Sequence, residues 1–191
     1  SRIAANADAD IVVFCGVKFM AETAKILNPS RKVLLPTAKG GCSLAESMNA
    51  EEVRQLKQLF PETPVVTYVN SYADVKTESD YCCTSGNATE MVRSLLKQGH
   101  RRVIFLPDEY LGRNTARELG MAVVAPKREN GRWVNAELPQ TDRPMMVIWT
   151  GRCEVHERFT VDDIRNARKQ FPDVQVLAHP ECSPEVIQAA D

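Results

Sequence analysis

The chain is predicted to be an α/β protein with short parallel sheets in duplicated units, on three observations. Apolar runs of roughly four to six residues, rich in Val and Ile, alternate with amphipathic stretches of about ten to fifteen, the pattern of strands joined by crossover helices. The chain also repeats itself at a shift of 111 residues: with Cys42 set on Cys153, Glu51-Glu52-Val53-Arg54 falls on Asp162-Asp163-Ile164-Arg165, Phe60-Pro61 on Phe171-Pro172 and Val65-Val66 on Val176-Leu177. At that shift Tyr68 falls on His179, Asn70 on Glu181 and Asp80 on Asp191, as expected of duplicated units facing one shared site. Finally, 191 residues with 43% hydrophobic and 26% charged side chains suffice to bury a core in one large domain or two small ones.

The expected strands, in order, are residues 11–15, 32–35, 64–69, 80–83, 102–106, 121–125, 145–149 and 174–178, with helices between most of them. Helices should include Ala21-Glu22, Thr89-Glu90 and residues 113–119. Asn49 ahead of Ala50-Glu51-Glu52 and Thr160 ahead of Val161-Asp162-Asp163 mark two more helix starts. There a short polar side chain caps free N–H groups, and acids in the first turn suit the helix dipole. Both of these helices stop at Phe-Pro.

A fainter echo, shifted by about 70 residues, sets Asp10-Ile11 on Asp80-Tyr81 and Leu35-Pro36 on Leu106-Pro107. The two units run from about Asp10 to Asn70 and from about Asp80 to Glu181, and differ mainly between the proline and the cysteine. The added length includes residues 127–143, read as a surface insertion in which Glu129-Asn130-Gly131-Arg132 turns between two extended arms. The chain starts and stops at the same phase of the repeat, at Ala9-Asp10 and Ala190-Asp191, as expected of a piece of a longer protein.

A formal net charge of −1 with dispersed basic and acidic residues argues against a nucleic-acid or anionic-membrane partner and for a small ligand. The longest apolar run, residues 11–15, is far too short to span a bilayer, and no charged-then-apolar leader opens the chain, so a cytoplasmic protein is expected.

Six cysteines without a CxxC do not resemble a disulfide scaffold. Cys15, Cys82 and Cys83 lie in or beside strand-like runs and read as buried free thiols. Cys42 and Cys153 each follow a glycine-containing turn and precede a helix, where the dipole favours a thiolate. They could be metal ligands, a redox pair or unrelated structural thiols. Together with His156 they could also form a zinc or thiol-redox module. His179-Pro180-Glu181-Cys182 follows an expected strand, at the carboxyl end of a parallel sheet where ligand sites concentrate. His179 and Glu181, on alternate residues of an extended segment, would point the same way and could serve as a general acid/base and its orienter, hold a polar substrate, or simply form a helix-entry loop turned by Pro180. Thr84-Ser85-Gly86-Asn87 precedes a helix near Ala88, and could bind a phosphate or carboxylate or simply cap that helix.

A set of motifs along the chain resembles the quinolinate synthase family, the A protein of bacterial NAD biosynthesis. They are Met20-Ala21-Glu22-Thr23-Ala24 with Asn28-Pro29, Leu35-Pro36 leading to Gly41-Cys42-Ser43-Leu44-Ala45, Thr67-Tyr68-Val69-Asn70-Ser71, Cys83-Thr84-Ser85-Gly86-Asn87-Ala88, Leu106-Pro107-Asp108 with Leu111-Gly112, Cys153-Glu154-Val155-His156 and His179-Pro180-Glu181-Cys182. The resemblance implies three-layer αβα domains related by pseudo-threefold symmetry, each giving one cysteine to a [4Fe-4S] cluster. It implies condensation of iminoaspartate with dihydroxyacetone phosphate to quinolinate, with loss of phosphate and water. A partner would be the L-aspartate oxidase that supplies iminoaspartate. Carried over, Cys42 and Cys153 become cluster ligands, and Tyr68, His179 and Glu181 become catalytic residues. Asn70, Thr84, Ser85 and Asn87 become substrate-binding residues, whereas Cys182 is not a ligand. Residues 1–41 would close a first domain, 42–152 form a second with its insertion at 127–143, and 153–191 open a third. The third ligand would lie outside this chain, which alone should be inactive.

Overall fold

The computed structural model describes residues 2–129, 132–134 and 138–191. Helix α1 (Arg2–Ala5) leads into strand β1 (Ile11–Val13), helix α2 (Lys18–Leu27) and strand β2 (Lys32–Leu34). Next come α3 (Ser43–Glu46), α4 (Ala50–Leu59), β3 (Val65–Tyr68), α5 (Ala73–Thr77), β4 (Tyr81–Cys83), α6 (Ala88–Lys97), β5 (Arg102–Leu106) and α7 (Glu109–Glu118). Strands β6 (Ala122–Val124), β7 (Lys127–Glu129), β8 (Arg132–Val134) and β9 (Met145–Ile148) precede helices α8 (Val161–Gln170) and α9 (Pro184–Ala189).

The main sheet is parallel, in the order β4-β3-β5-β9-β6, and β1 pairs with β2 in a separate parallel pair. Helices cross over between strands because a parallel neighbour cannot be reached by a hairpin. Covered on both faces, the central strands are largely apolar: Val103, Ile104, Phe105 and Leu106 are all fully buried. Their side chains alternate between two cores. Val66, Tyr68, Val103, Phe105, Met146 and Ile148 pack with Val92, Leu95, Leu111 and Ala116 of α6 and α7. Val65, Ile104, Leu106 and Val147 pack with Val53, Leu56 and Val75 of α4 and α5.

The segments around α4 and α8 carry the same local devices at the same spacing. Asn49 with Glu52 and Thr160 with Asp163 form capping boxes, and Phe60 and Phe171 end the helices. The Asp80 carboxylate accepts from Val65 N–H at 2.8 Å, as Asp191 does from Val176 N–H at 2.7 Å. Lys57 donates to Glu78 O and Arg168 to Ala189 O.

Several expectations are corrected. Residues 174–178 form no strand among the described residues: Val176 finds the carboxylate of Asp191 but no neighbouring ladder, and a strand exists only through pairing. Of the three thiols expected to be buried, only Cys83 is; Cys15 lies past the end of β1 and Cys82 on the edge strand β4, and both are exposed. The arms of the insertion do pair antiparallel, with Glu129 opposite Arg132, while Asn130 and Gly131 lie outside the described residues. The insertion is more than a surface feature, because Trp133 packs on Trp149 with ring centroids 4.4 Å apart and joins the second core. Helix α7 starts at Glu109, before the expected 113, because Asp108 accepts from Leu111 N–H and caps it.

Candidate functional site

All strands of the main sheet end on one side, and the chain leaving them there supplies most of the expected site residues. Tyr68 closes β3, Thr84 and Ser85 follow β4, Asp108 follows β5 across a cis Leu106-Pro107 peptide, and Cys153 lies just beyond β9. The turn 179–182 comes in from further along the chain. It is not extended as expected: Cys182 N–H closes it onto His179 O at 2.8 Å.

His179 and Glu181 nevertheless meet. His179 Nδ1 lies 3.2 Å from Glu181 Oε2 and accepts from Glu181 N–H at 3.3 Å. The Tyr68 hydroxyl donates to the same Oε2 at 3.4 Å, so three residues predicted to be catalytic share one oxygen. His156 joins them, its ring stacked on His179 with centroids 4.8 Å apart and its Nδ1 3.5 Å from Oε2.

Burial governs the electrostatics. Glu181, 2% exposed, is pushed up to about 7 by desolvation, against the lowering hydrogen bond from Tyr68. Desolvation lowers His179, and lowers His156 with help from the charge of His179. Burial and then the charge of Glu181 raise Tyr68, so its hydroxyl keeps its proton. A carboxyl raised to about 7 can hold a proton near neutral pH, as acid/base work requires. Glu181 Oε1 and His156 Nδ1 are buried without a hydrogen-bond partner, leaving capacity for a ligand.

Cys153 Sγ, a ring nitrogen of His156 and a carboxylate oxygen of Glu181 lie within 4.8 Å of one another, a group that could hold a metal ion. Among the described residues that group contains Glu181 and not Cys42, unlike the expected Cys42, Cys153 and His156 module. Both Cys42 and Cys153 are half-buried and pack on the first core. Burial raises the Cys153 thiol, opposed by the N–H groups of His156 and Val155, which point at the sulfur; the charges of Glu181 and Cys42 raise it further. Cys42 flanks the short α3, and its N–H meets the Tyr72 hydroxyl, which itself donates to Glu46 at 3.0 Å.

Sequence reasoning missed Asp108 and Glu109. Asp108 is fully buried, its Oδ2 has no hydrogen-bond partner, and burial pushes it up to about 7, against the Leu111 N–H and with the charge of Glu181. Glu109 is 5% exposed; burial raises it, but Arg152 at 2.8 Å and Arg113 at 2.7 Å together hold it below the ordinary glutamate value. With Glu109 N–H on Gly151 O at 2.7 Å, this pair ties the strand end before Cys153 to the start of α7. An acid followed directly by another after Leu-Pro was the available signal.

Of the substrate-binding candidates, Ser85 sits beside the Tyr68 hydroxyl. Asn87 does not cap α6; its Oδ1 accepts from Thr84 N–H at 2.7 Å and from the Thr84 hydroxyl at 3.0 Å, shaping the loop instead. Asn70 lies half-buried beyond β3. No helix among the described residues is long and apolar enough to cross a membrane.

The family model for the quinolinate synthetase A protein matches residues 1–191. Over all 191 residues the chain is 51% identical to quinolinate synthase 1 of Mesorhizobium japonicum and covers 51% of that protein. It is 49% identical to the quinolinate synthase of Agrobacterium fabrum, covering 48%, and 47% identical to that of Xylella fastidiosa, covering 49%. The chain therefore spans about half the length of these relatives, and along its whole extent it belongs to the quinolinate synthetase A family.

Proposed function

We propose that this chain is part of a quinolinate synthase that condenses iminoaspartate with dihydroxyacetone phosphate, with loss of phosphate and water, at the site built around Glu181. The observation that carries this reading is the convergence of Tyr68, His179 and His156 on Glu181 Oε2, beside Cys153. Glu181 would hold a proton at its carboxyl and pass it through His179 Nδ1, while Tyr68 donates from a hydroxyl that stays protonated. Ser85, with Thr84, Asn70 and Asn87 nearby in the same strand-end loops, would bind a substrate carboxylate or phosphate. An L-aspartate oxidase is the proposed source of the imine, and the cytoplasm the proposed compartment.

The donor chemistry fits a [4Fe-4S] cluster: two half-buried thiols pack on one core, and N–H groups are directed at the Cys153 sulfur. Cys42 and Cys153 would hold it, with a third cysteine from outside these 191 residues. When bound, it would supply Lewis-acid assistance to dehydration. A second reading, zinc held by Cys153, His156 and Glu181, is favoured by the closeness of those three ligands.

Anaerobic reconstitution of the full-length protein with iron and sulfide tests both. A brown chromophore, four irons per chain and quinolinate formation are expected; stoichiometric zinc with no chromophore would overturn the cluster reading. The 191-residue chain alone is proposed to be inactive, and that statement fails if it takes up four irons and makes quinolinate.

A further inference from the structure

Asn114 lies on α7, outside the residues assigned above to the reaction, and is 8% exposed. Its amide nitrogen donates to Pro180 O at 2.9 Å and to Cys182 O at 3.0 Å. Those two carbonyls bracket Glu181, so one amide occupies both of its hydrogens in gripping the turn that carries His179 and Glu181. One helical turn on, Arg117 donates to Pro184 O at 3.1 Å, and Ser183 caps α9, so the grip continues into the next helix.

The turn needs such an anchor. Residues 174–178 belong to no sheet, so no ladder of backbone hydrogen bonds holds the approach to His179. The proposed proton transfer, by contrast, requires Glu181 Oε2 to stay within reach of His179 and Tyr68, now at 3.2 and 3.4 Å. Helix α7 is well fixed, with Leu111 and Ala116 in the first core and Asp108 as its cap. We infer that Asn114 is a positioning residue that clamps the 179–182 turn and thereby sets Glu181 and His179 for proton transfer. This rests on the proposed use of those two residues.

The test uses the full-length protein, reconstituted anaerobically, with Asn114→Ala and the equally sized Asn114→Asp, whose carboxylate cannot donate to the two carbonyls. The first readout is alkylation of Cys182 by iodoacetamide, mapped by peptide mass, with the core thiol Cys83 as internal control; the two are 4% and 2% exposed. Cys182 should label about thirtyfold faster in both variants, the opening expected on losing two net hydrogen bonds, while Cys83 stays protected. The second readout is kinetic: kcat should fall about a hundredfold through misplacement of the acid/base pair, with KM and iron content near those of the parent protein. Unchanged Cys182 labelling overturns the clamp, as does a loss of kcat that only tracks loss of folded protein. If the parent protein makes no quinolinate, the functional reading fails, while the labelling ratio still decides whether Asn114 holds the turn.

Discussion

Replacing Asp108 with asparagine removes a buried ionisable carboxyl while keeping its shape and its cap on Leu111 N–H, a hydrogen bond of 2.6 Å. Burial raises this carboxyl from the ordinary 3.8 to about 7. The folded state therefore binds the proton more tightly than the unfolded chain. Below pH 3.8 both states are neutral and the group costs nothing. Between 3.8 and 7 the unfolded chain has ionised and the folded one has not, so stability falls as pH rises; above 7 the full cost remains. At roughly 1.4 kcal/mol per pKa unit, that cost is about 4 kcal/mol. Asparagine carries none of it, but sets an N–H pair where Oδ2 is buried without a partner, at about 1–3 kcal/mol. Asp108→Asn should thus be less stable than the parent chain at pH 4 by about 2 kcal/mol and more stable at pH 8 by about the same. Urea unfolding followed by circular dichroism from pH 4 to 8 checks this, because the difference between the two proteins cancels other titrating groups. Parallel stability profiles would refute the reasoning.

Three other perturbations follow from the packing around the site. In Gly151→Ala the new Cβ would lie 2.7 Å from the backbone oxygen of Pro107, which cannot swing aside; a loss of about 2 kcal/mol in unfolding and slower iron uptake at Cys153 are expected. Glu109→Gln removes the carboxylate shared by Arg113 and Arg152 and should cost about 1–2 kcal/mol at pH 7. Because Glu109 titrates below its ordinary value, that difference should vanish as pH falls through the acid range, measurable by unfolding at pH 3 and pH 7. Trp133→Ala strips the insertion from Trp149 and should destabilise by about 2 kcal/mol in thermal unfolding.

Local patterns were legible where the physics is local. Asn49 and Thr160 cap their helices because the capping oxygen and the N–H it meets lie three residues apart, and the buried strands are apolar because both sheet faces are covered. Residues 174–178 misled because a strand's existence depends on a neighbour that periodicity cannot supply. Cys82 and Cys83 look alike in sequence, yet adjacent residues face opposite sides of β4, and only one side is covered.

By itself, then, the sequence determined the α/β class, the capped starts of α4 and α8, and the groups that follow β3, β4 and β9. Only the tertiary structure decided that Tyr68, His156 and His179 converge on one oxygen of Glu181, and that Asp108 lies buried beside them. The physical reason is separation along the chain. Tyr68 and Glu181 are 113 residues apart; the repeat predicts that their segments face one site, but which atoms meet there is set by sheet order and helix packing.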